Sequence, residues 1–250
     1  MALLITSGNY RTFEKGGFMQ RQKNEKGKYQ ARWFRCVKAI APVFISYALI
    51  ICMYPGICGA VLDPPSRVIE RSCGETNIEG KKILIAYATK HGATSSIAAK
   101  IADVLCAEGF QVDLKLARKV KDVAEYDAVI VGSPIYIGQW LRGAKQFLNR
   151  YEDELAGKNV AAFITCTYLQ DANDTPDRRA HAQELYIDPI FENLPDIQPI
   201  SIGILSGEFI YKELYPVEFI LMKLAKFAEG DFRNEDKISA WALELSALLQ

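Results

Sequence analysis

The sequence predicts an α/β domain built on a doubly wound, five-stranded parallel sheet, and three observations lead there. Short apolar runs alternate with stretches of helical periodicity from residue 82 to the C-terminus. The first run, Ile83-Leu84-Ile85-Ala86, is almost continuously apolar, as a strand covered by helices on both faces should be. Within a few residues it gives way to a small, hydroxyl-rich loop and then to a helix, which is the pattern of a strand, a phosphate loop and a helix N-terminus.

Residues 1–38 form a basic tail, with nine Lys and Arg against two Glu and no sustained periodicity, and read as disordered. Ala39 to Leu62 carries no charge over 24 residues. As a helix rising about 1.5 Å per residue it would exceed the roughly 30 Å hydrocarbon core, so residues 39–62 read as a transmembrane or signal-anchor helix. Small residues from Gly56 to Ala60 leave a cleaved signal peptide as the rival, and Met53 leaves a downstream start as a third reading. The basic flank would hold the N-terminus inside and send the following domain across the membrane. Residues 63–80, with Pro64-Pro65, read as a linker, and residues 81–250 as the folded domain.

Residues 63–250 carry 21 Lys and Arg against 28 Asp and Glu, and this acidic surplus argues against nucleic acid as a partner. The six cysteines show no Cys-x-x-Cys pair and the chain has two histidines, so no metal site is expected. No disulfide framework is legible either, and the cysteines read as buried structural thiols.

After the first strand, Ile97, Ile101, Val104 and Leu105 recur at helical spacing from Thr94 onward. Between strand and helix, Thr89 to Thr94 offer backbone N–H groups and hydroxyls at the positive end of a helix dipole, where a phosphate dianion is stabilised without a metal. Neither Gly-x-Gly-x-x-Gly nor Gly-Lys-Ser/Thr is present, which argues against a dinucleotide or a nucleoside triphosphate.

Gln111 to Leu116 is the second strand, followed by a short helical piece near Val120 to Tyr126, and Asp127 to Ser133 is the third. A helix is expected from about Arg142 to Glu154, the fourth strand over Lys158 to Cys166, and a helix over Asp177 to Asn193. Gln198 to Leu205 is the fifth strand, and Glu235 to Leu249 closes the domain with Ile238, Trp241, Leu245, Leu248 and Leu249 on one face. Ser206 to Glu229 is longer than that last connection needs. Its Val217 to Phe227 run reads as an extra helix, either packed on the sheet edge or facing a membrane or quinone.

A ligand on such a sheet lies at the carboxyl ends of the strands. There Gly132-Ser133-Pro134-Ile135-Tyr136-Ile137-Gly138-Gln139-Trp140 is shaped by proline and glycine, and Tyr136 and Trp140 offer flat faces for a ring. Trp140 has the equal alternative of packing against a helix. After the fourth strand, Thr165 to Asp174, including Thr167 and Tyr168, is polar enough to pass backbone amides along a ring edge.

The spacing Tyr87-x-Thr89-x-x-Gly92-x-Thr94 resembles the FMN-phosphate loop of flavodoxins. With Val131-Gly132-Ser133-Pro134-Ile135-Tyr136, the strand after Lys158 and Gly230-Asp231-Phe232-Arg233, residues 81–250 are similar to the flavodoxin-domain family that includes menaquinone-dependent protoporphyrinogen oxidase. The resemblance implies a flavodoxin-like sheet of strand order 2-1-3-4-5 and FMN as cofactor. It places Thr89, His91, Gly92, Ala93 and Thr94 on the phosphate, and Ser133, Pro134, Tyr136 and Gly138 beside the ring. It further implies an FMN-dependent oxidoreductase passing electrons from a reduced substrate, in that relative a porphyrinogen of heme biosynthesis, to a quinone. The alternative is a membrane-tethered electron carrier, whose acidic surface suits basic redox partners. No acid–base pair stands out, so no catalytic residue is named. Glu208, Glu213 and Glu218 occupy a region that is basic and aromatic in the oxidase, a departure that bears on the porphyrin substrate. By resemblance the flavin domain is cytoplasmic, whereas the flanking charges favour the opposite side.

Overall fold

The computed structural model describes residues 67–74, 81–169, 174–224 and 227–250. The stretch read as membrane-spanning, residues 39–62, and the basic tail lie outside the described residues. Among those described, no helix is long and apolar enough to cross a membrane.

Parallel strands β2 (Lys82–Tyr87), β3 (Gln111–Leu116), β4 (Ala128–Tyr136), β6 (Asn159–Cys166) and β7 (Ser201–Ser206) form the sheet in the order β3-β2-β4-β6-β7. Helices α1 (Ala93–Ala107) and α7 (Glu235–Leu249) cover one face, where Ile83, Ile85, Ile97, Ile101, Phe163, Trp241 and Leu245 interdigitate. On the other face, α2 (Arg142–Arg150), the four-residue α3 (Glu152–Leu155) and α4 (Pro176–Tyr186) pack over Leu84, Val129, Val131, Ala162 and Ile164. Burial on both faces explains why these strands read as continuous apolar runs. Gly132 is required where β4 passes Phe163, because a Cβ there would come within 2.2 Å of the ring.

Four readings are corrected. Part of the supposed linker is structured: β1 (Arg71–Cys73) pairs antiparallel with β3, its Cys73 joined by a disulfide to Cys106 near the end of α1. Polar side chains on this exposed edge strand and pairing over three residues leave no apolar signal in the sequence. The bond also overturns the reading of all the cysteines as thiols. In the chain-entropy account, closing a loop of this length stabilises the fold by about 3–4 kcal/mol.

The second crossover has no helix at Val120 to Tyr126. A 3-10 turn at Ala117–Lys119 is followed by an irregular stretch whose Val120, Val123 and Tyr126 bury directly on the sheet, and Tyr151 donates from its hydroxyl to the Val120 carbonyl at 3.0 Å. The helix over Asp177 to Asn193 is broken as well. α4 ends at Tyr186 and a short α5 (Asp188–Phe191) begins before Pro189, whose ring cannot continue the preceding helix.

Candidate functional site

β2, β4 and β6 end side by side, and their carboxyl ends bring together the residues singled out for the phosphate and ring loops. At the end of β2, Gly92 is the N-cap of α1 with φ +93°, a left-handed conformation that glycine adopts without steric cost. Its N–H donates to the Thr89 Oγ1 at 3.0 Å, which closes the loop on itself. Among the described residues no side chain caps α1, and no carboxylate lies in its first turn, so the amides there meet no built-in anion from them. Thr94 Oγ1 lies 2.9 Å from Thr165 Oγ1, both buried, and joins this loop to the end of β6.

The remaining hydroxyls are engaged structurally. Ser95 Oγ accepts from the Ile69 N–H at 2.8 Å, and the buried Tyr87 hydroxyl donates to the Ile69 carbonyl at 2.7 Å. Ser96 Oγ accepts from Arg233 Nη1 at 2.6 Å. The hydroxyl-rich pattern therefore mostly fixes the loop, while uncapped amides and the Thr89 hydroxyl are left to meet a ligand. His91 has both ring nitrogens buried, and its Nε2 lies 3.2 Å from Glu218 Oε2. Uncapped amides behind a glycine hinge fit a phosphate monoester such as that of FMN.

The second loop differs from expectation. β4 runs on through Pro134 and Tyr136 and turns back as a hairpin into β5 (Gln139–Trp140), with Ile137 and Gly138 as its two-residue connection. Both have positive φ, 52° and 74°, as a type I′ turn requires. A β-branched residue is rarely found there, and Ile137 is also 55% exposed. Ile137→Asn is expected to stabilise the fold by about 1 kcal/mol, seen as a rise in Tm of about 2–4 °C, because asparagine tolerates this conformation.

Trp140 is not a ring platform. It is 3% exposed, its Nε1 donates to the Tyr186 carbonyl at 2.8 Å, and its ring meets Phe191 edge-on. The helical side of the alternative prevails because an indole with a satisfied N–H contributes most when buried. Ser133 is likewise withdrawn from any ring, since its fully buried Oγ accepts from the Leu141 N–H at 3.0 Å and donates to the Pro134 carbonyl. Pro134 pairs in register with Thr165, Gly138 is exposed at the hairpin tip, and Thr167, half-buried, opens a 3-10 turn over Thr167–Leu169 that includes Tyr168.

Sequence reasoning missed what the Ser206 to Glu229 segment brings. Its helix α6 (Pro216–Leu224) lays Glu218 against the phosphate loop, and the residue is 8% exposed. The carboxylate accepts from Lys90 Nζ, the Tyr136 hydroxyl and, at 3.3 Å, the Tyr215 N–H. Lys90 Nζ also lies 3.6 Å above the Tyr136 ring, so one face of that ring is covered. Burial alone would raise the Glu218 pKa, but His91, Lys90 and Tyr136 outweigh it and hold it at about 2. The same contact pushes the Tyr136 phenol up, through burial first and then through Glu218. One carboxylate thus ties the phosphate loop to the ring loop. Only the position of Glu218 within an amphipathic run could have marked it.

Protoporphyrinogen IX dehydrogenase [quinone] of Escherichia coli (strain K12) is 21% identical over 166 residues, covering 64% of this chain and 88% of that protein. Among solved structures, a Streptococcus pneumoniae TIGR4 flavodoxin is 18% identical with a TM-score of 0.41, covering 67% of this chain and 99% of its own. A Lactobacillus acidophilus flavoprotein in complex with FMN is 19% identical with a TM-score of 0.38, covering 50% and 93%. The flavodoxin-domain model itself matches residues 84–236, from the middle of β2 into the first turn of α7. With the phosphate loop, the hairpin and strands β3, β4, β6 and β7 inside that match, the chain belongs to the flavodoxin-domain family.

Proposed function

We propose that this chain is an FMN-dependent oxidoreductase that passes electrons from a reduced small-molecule substrate, of porphyrinogen type, to a quinone. The observation that carries the reading is the uncapped α1 N-terminus behind Gly92, joined through Thr94 and Thr165 to the neighbouring strand end. Bound FMN would supply the redox chemistry. The protein's own part is to hold and orient it. The α1 amides and the Thr89 hydroxyl would take the phosphate, and Tyr136, Gly138 and Thr167 would border the ring. Lys90 and Glu218 would fix the distance between the two loops.

Phe219, Ile220 and Leu224, exposed on α6, the helix whose Glu218 bonds Tyr136, give an apolar approach that suits a quinone better than a charged carrier. Three acidic residues of the same segment do not stand against an anionic substrate as free charges. Glu208 and Glu213 accept from Arg67 at 2.8 and 2.9 Å, and Glu218 pairs with Lys90.

We further propose that residues 39–62 tether the domain to a membrane and that it lies on the exported side. The basic flank of residues 1–38 and the Cys73–Cys106 disulfide, which persists in oxidising compartments, both support this. The full-length chain in proteoliposomes with FMN and menaquinone should oxidise protoporphyrinogen with matching quinone reduction. A flavin-loaded preparation that reduces a basic redox protein but no quinone would replace this reading with the electron carrier.

A further inference from the structure

The segment from Arg67 to Cys73 crosses the phosphate loop, and its contacts are too many for a connecting strand alone. Its backbone at Ile69 is gripped on both sides, the N–H by Ser95 Oγ and the carbonyl by the Tyr87 hydroxyl, so it is fixed to the two elements that flank the loop. Glu70 accepts from the Leu116 N–H at 3.1 Å and from Lys119. Arg71 donates to the Ala99 carbonyl at 2.9 Å and pairs with Asp103. The disulfide to Cys106 pins the far end.

What this strap delivers is Arg67. A Cβ placed on Gly92 would lie 2.8 Å from Arg67 Cβ and 3.3 Å from Arg67 Nε, so the side chain runs directly over the hinge of the anion site. Its Nη2 is braced by Glu208 and Glu213, which leaves the Nε edge on the Gly92 side. Because the Thr94 hydroxyl is engaged with Thr165, and the neighbouring Ser95 and Ser96 hydroxyls with Ile69 and Arg233, a dianion at α1 has few side-chain hydroxyls left to meet it. A guanidinium held in place is the chemical substitute, since its planar fork suits phosphate oxygens and it stays charged.

Resting on the proposed FMN site, we propose that Arg67 is a further ligand of the flavin phosphate, delivered by a strap whose placement depends on the Cys73–Cys106 bond. Reduction by a small dithiol breaks the S–S bond, takes up two electrons and two protons to give two thiols, and leaves the reductant as its cyclic disulfide. The strap then keeps its backbone pairing with β3 but loses its covalent end, and Arg67 is held over the site for a smaller fraction of the time.

The test is titration of the full-length chain in detergent with FMN and with riboflavin, which lacks the phosphate, read by flavin fluorescence at low and high salt. Arg67→Ala is expected to weaken FMN roughly tenfold or more at low salt, less at high salt, and to leave riboflavin unchanged. Arg67→Lys should recover part of the loss. The Cys73→Ser/Cys106→Ser pair should weaken FMN by a smaller factor, on the order of threefold, again without touching riboflavin. FMN binding by Arg67→Ala within twofold of the unaltered chain, or an equal loss of riboflavin, overturns the role of Arg67. Unchanged FMN binding in the folded serine pair overturns the role of the disulfide. Should the pair not fold, dithiol titration of the unaltered chain gives the same readout. An unaltered chain that takes no FMN would instead defeat the proposed function.

Discussion

Acidification from pH 5 towards pH 2 is expected to remove about 5 kcal/mol of folding stability through two carboxylates, Glu218 and Asp113. Both are nearly buried and both are held at about 2 against ordinary values of 4.5 and 3.8. For Asp113, burial pushes the pKa up, and hydrogen bonds from Ser72, Tyr126 and Lys115 more than reverse it. A folded pKa below the unfolded one means that the stabilisation is fully present above the unfolded value and disappears as pH falls through the folded one. The window is therefore pH 4.5 to about 2, with about 3 kcal/mol from Glu218 and about 2 from Asp113. Urea unfolding at pH 7, 5, 4, 3 and 2.5 measures it. Glu218→Gln should lose about 3 kcal/mol at pH 7, because Lys90 is left beside Tyr136 without its counter-charge, and its curve should be flatter in acid. Parallel curves for the two proteins would show that Glu218 is not the latch between the loops.

The strands of the sheet were legible because burial on two faces writes itself as uninterrupted Ile, Val and Ala, and the phosphate loop because a strand-to-helix turn demands small residues. The same physics explains what was not legible. β1 is an edge strand of Arg, Ser and Cys, stabilised by one disulfide and by backbone contacts that no periodicity records. Trp140 and Tyr136 look alike in the sequence as aromatic residues on one loop. The hairpin that separates their environments depends on Ile137 adopting a conformation its side chain disfavours. Lys90 meets Glu218, and Arg67 reaches Gly92, Glu208 and Glu213, across stretches of chain that no local periodicity spans. The two hydroxyls read as ligand donors are also part of the frame: Thr94 meets Thr165 across the strand ends, and Thr89 accepts from the Gly92 N–H.

The two ends of α1 provide a controlled experiment on the phosphate site. Gly92 at its start and Gly109 just past its end both have φ +93°, so alanine at either position carries the same intrinsic backbone cost of about 1–2 kcal/mol. Their surroundings differ. A Cβ at Gly109 meets nothing within 4 Å, whereas one at Gly92 runs into Arg67 Cβ at 2.8 Å, and the displacement must be taken up by the loop or the strap. Gly109→Ala should therefore lower stability by about 1 kcal/mol and leave FMN affinity unaltered. Gly92→Ala should lower stability further and weaken FMN by about a hundredfold, since turning two amides away from a dianion forfeits charge-assisted bonds of about 1.5–3 kcal/mol each. Riboflavin affinity should change far less than FMN affinity in the Gly92 variant, because the moved atoms face the phosphate. Equal losses of FMN affinity in both variants would mean that α1 responds as a whole to backbone strain and that its first turn has no special hold on the phosphate.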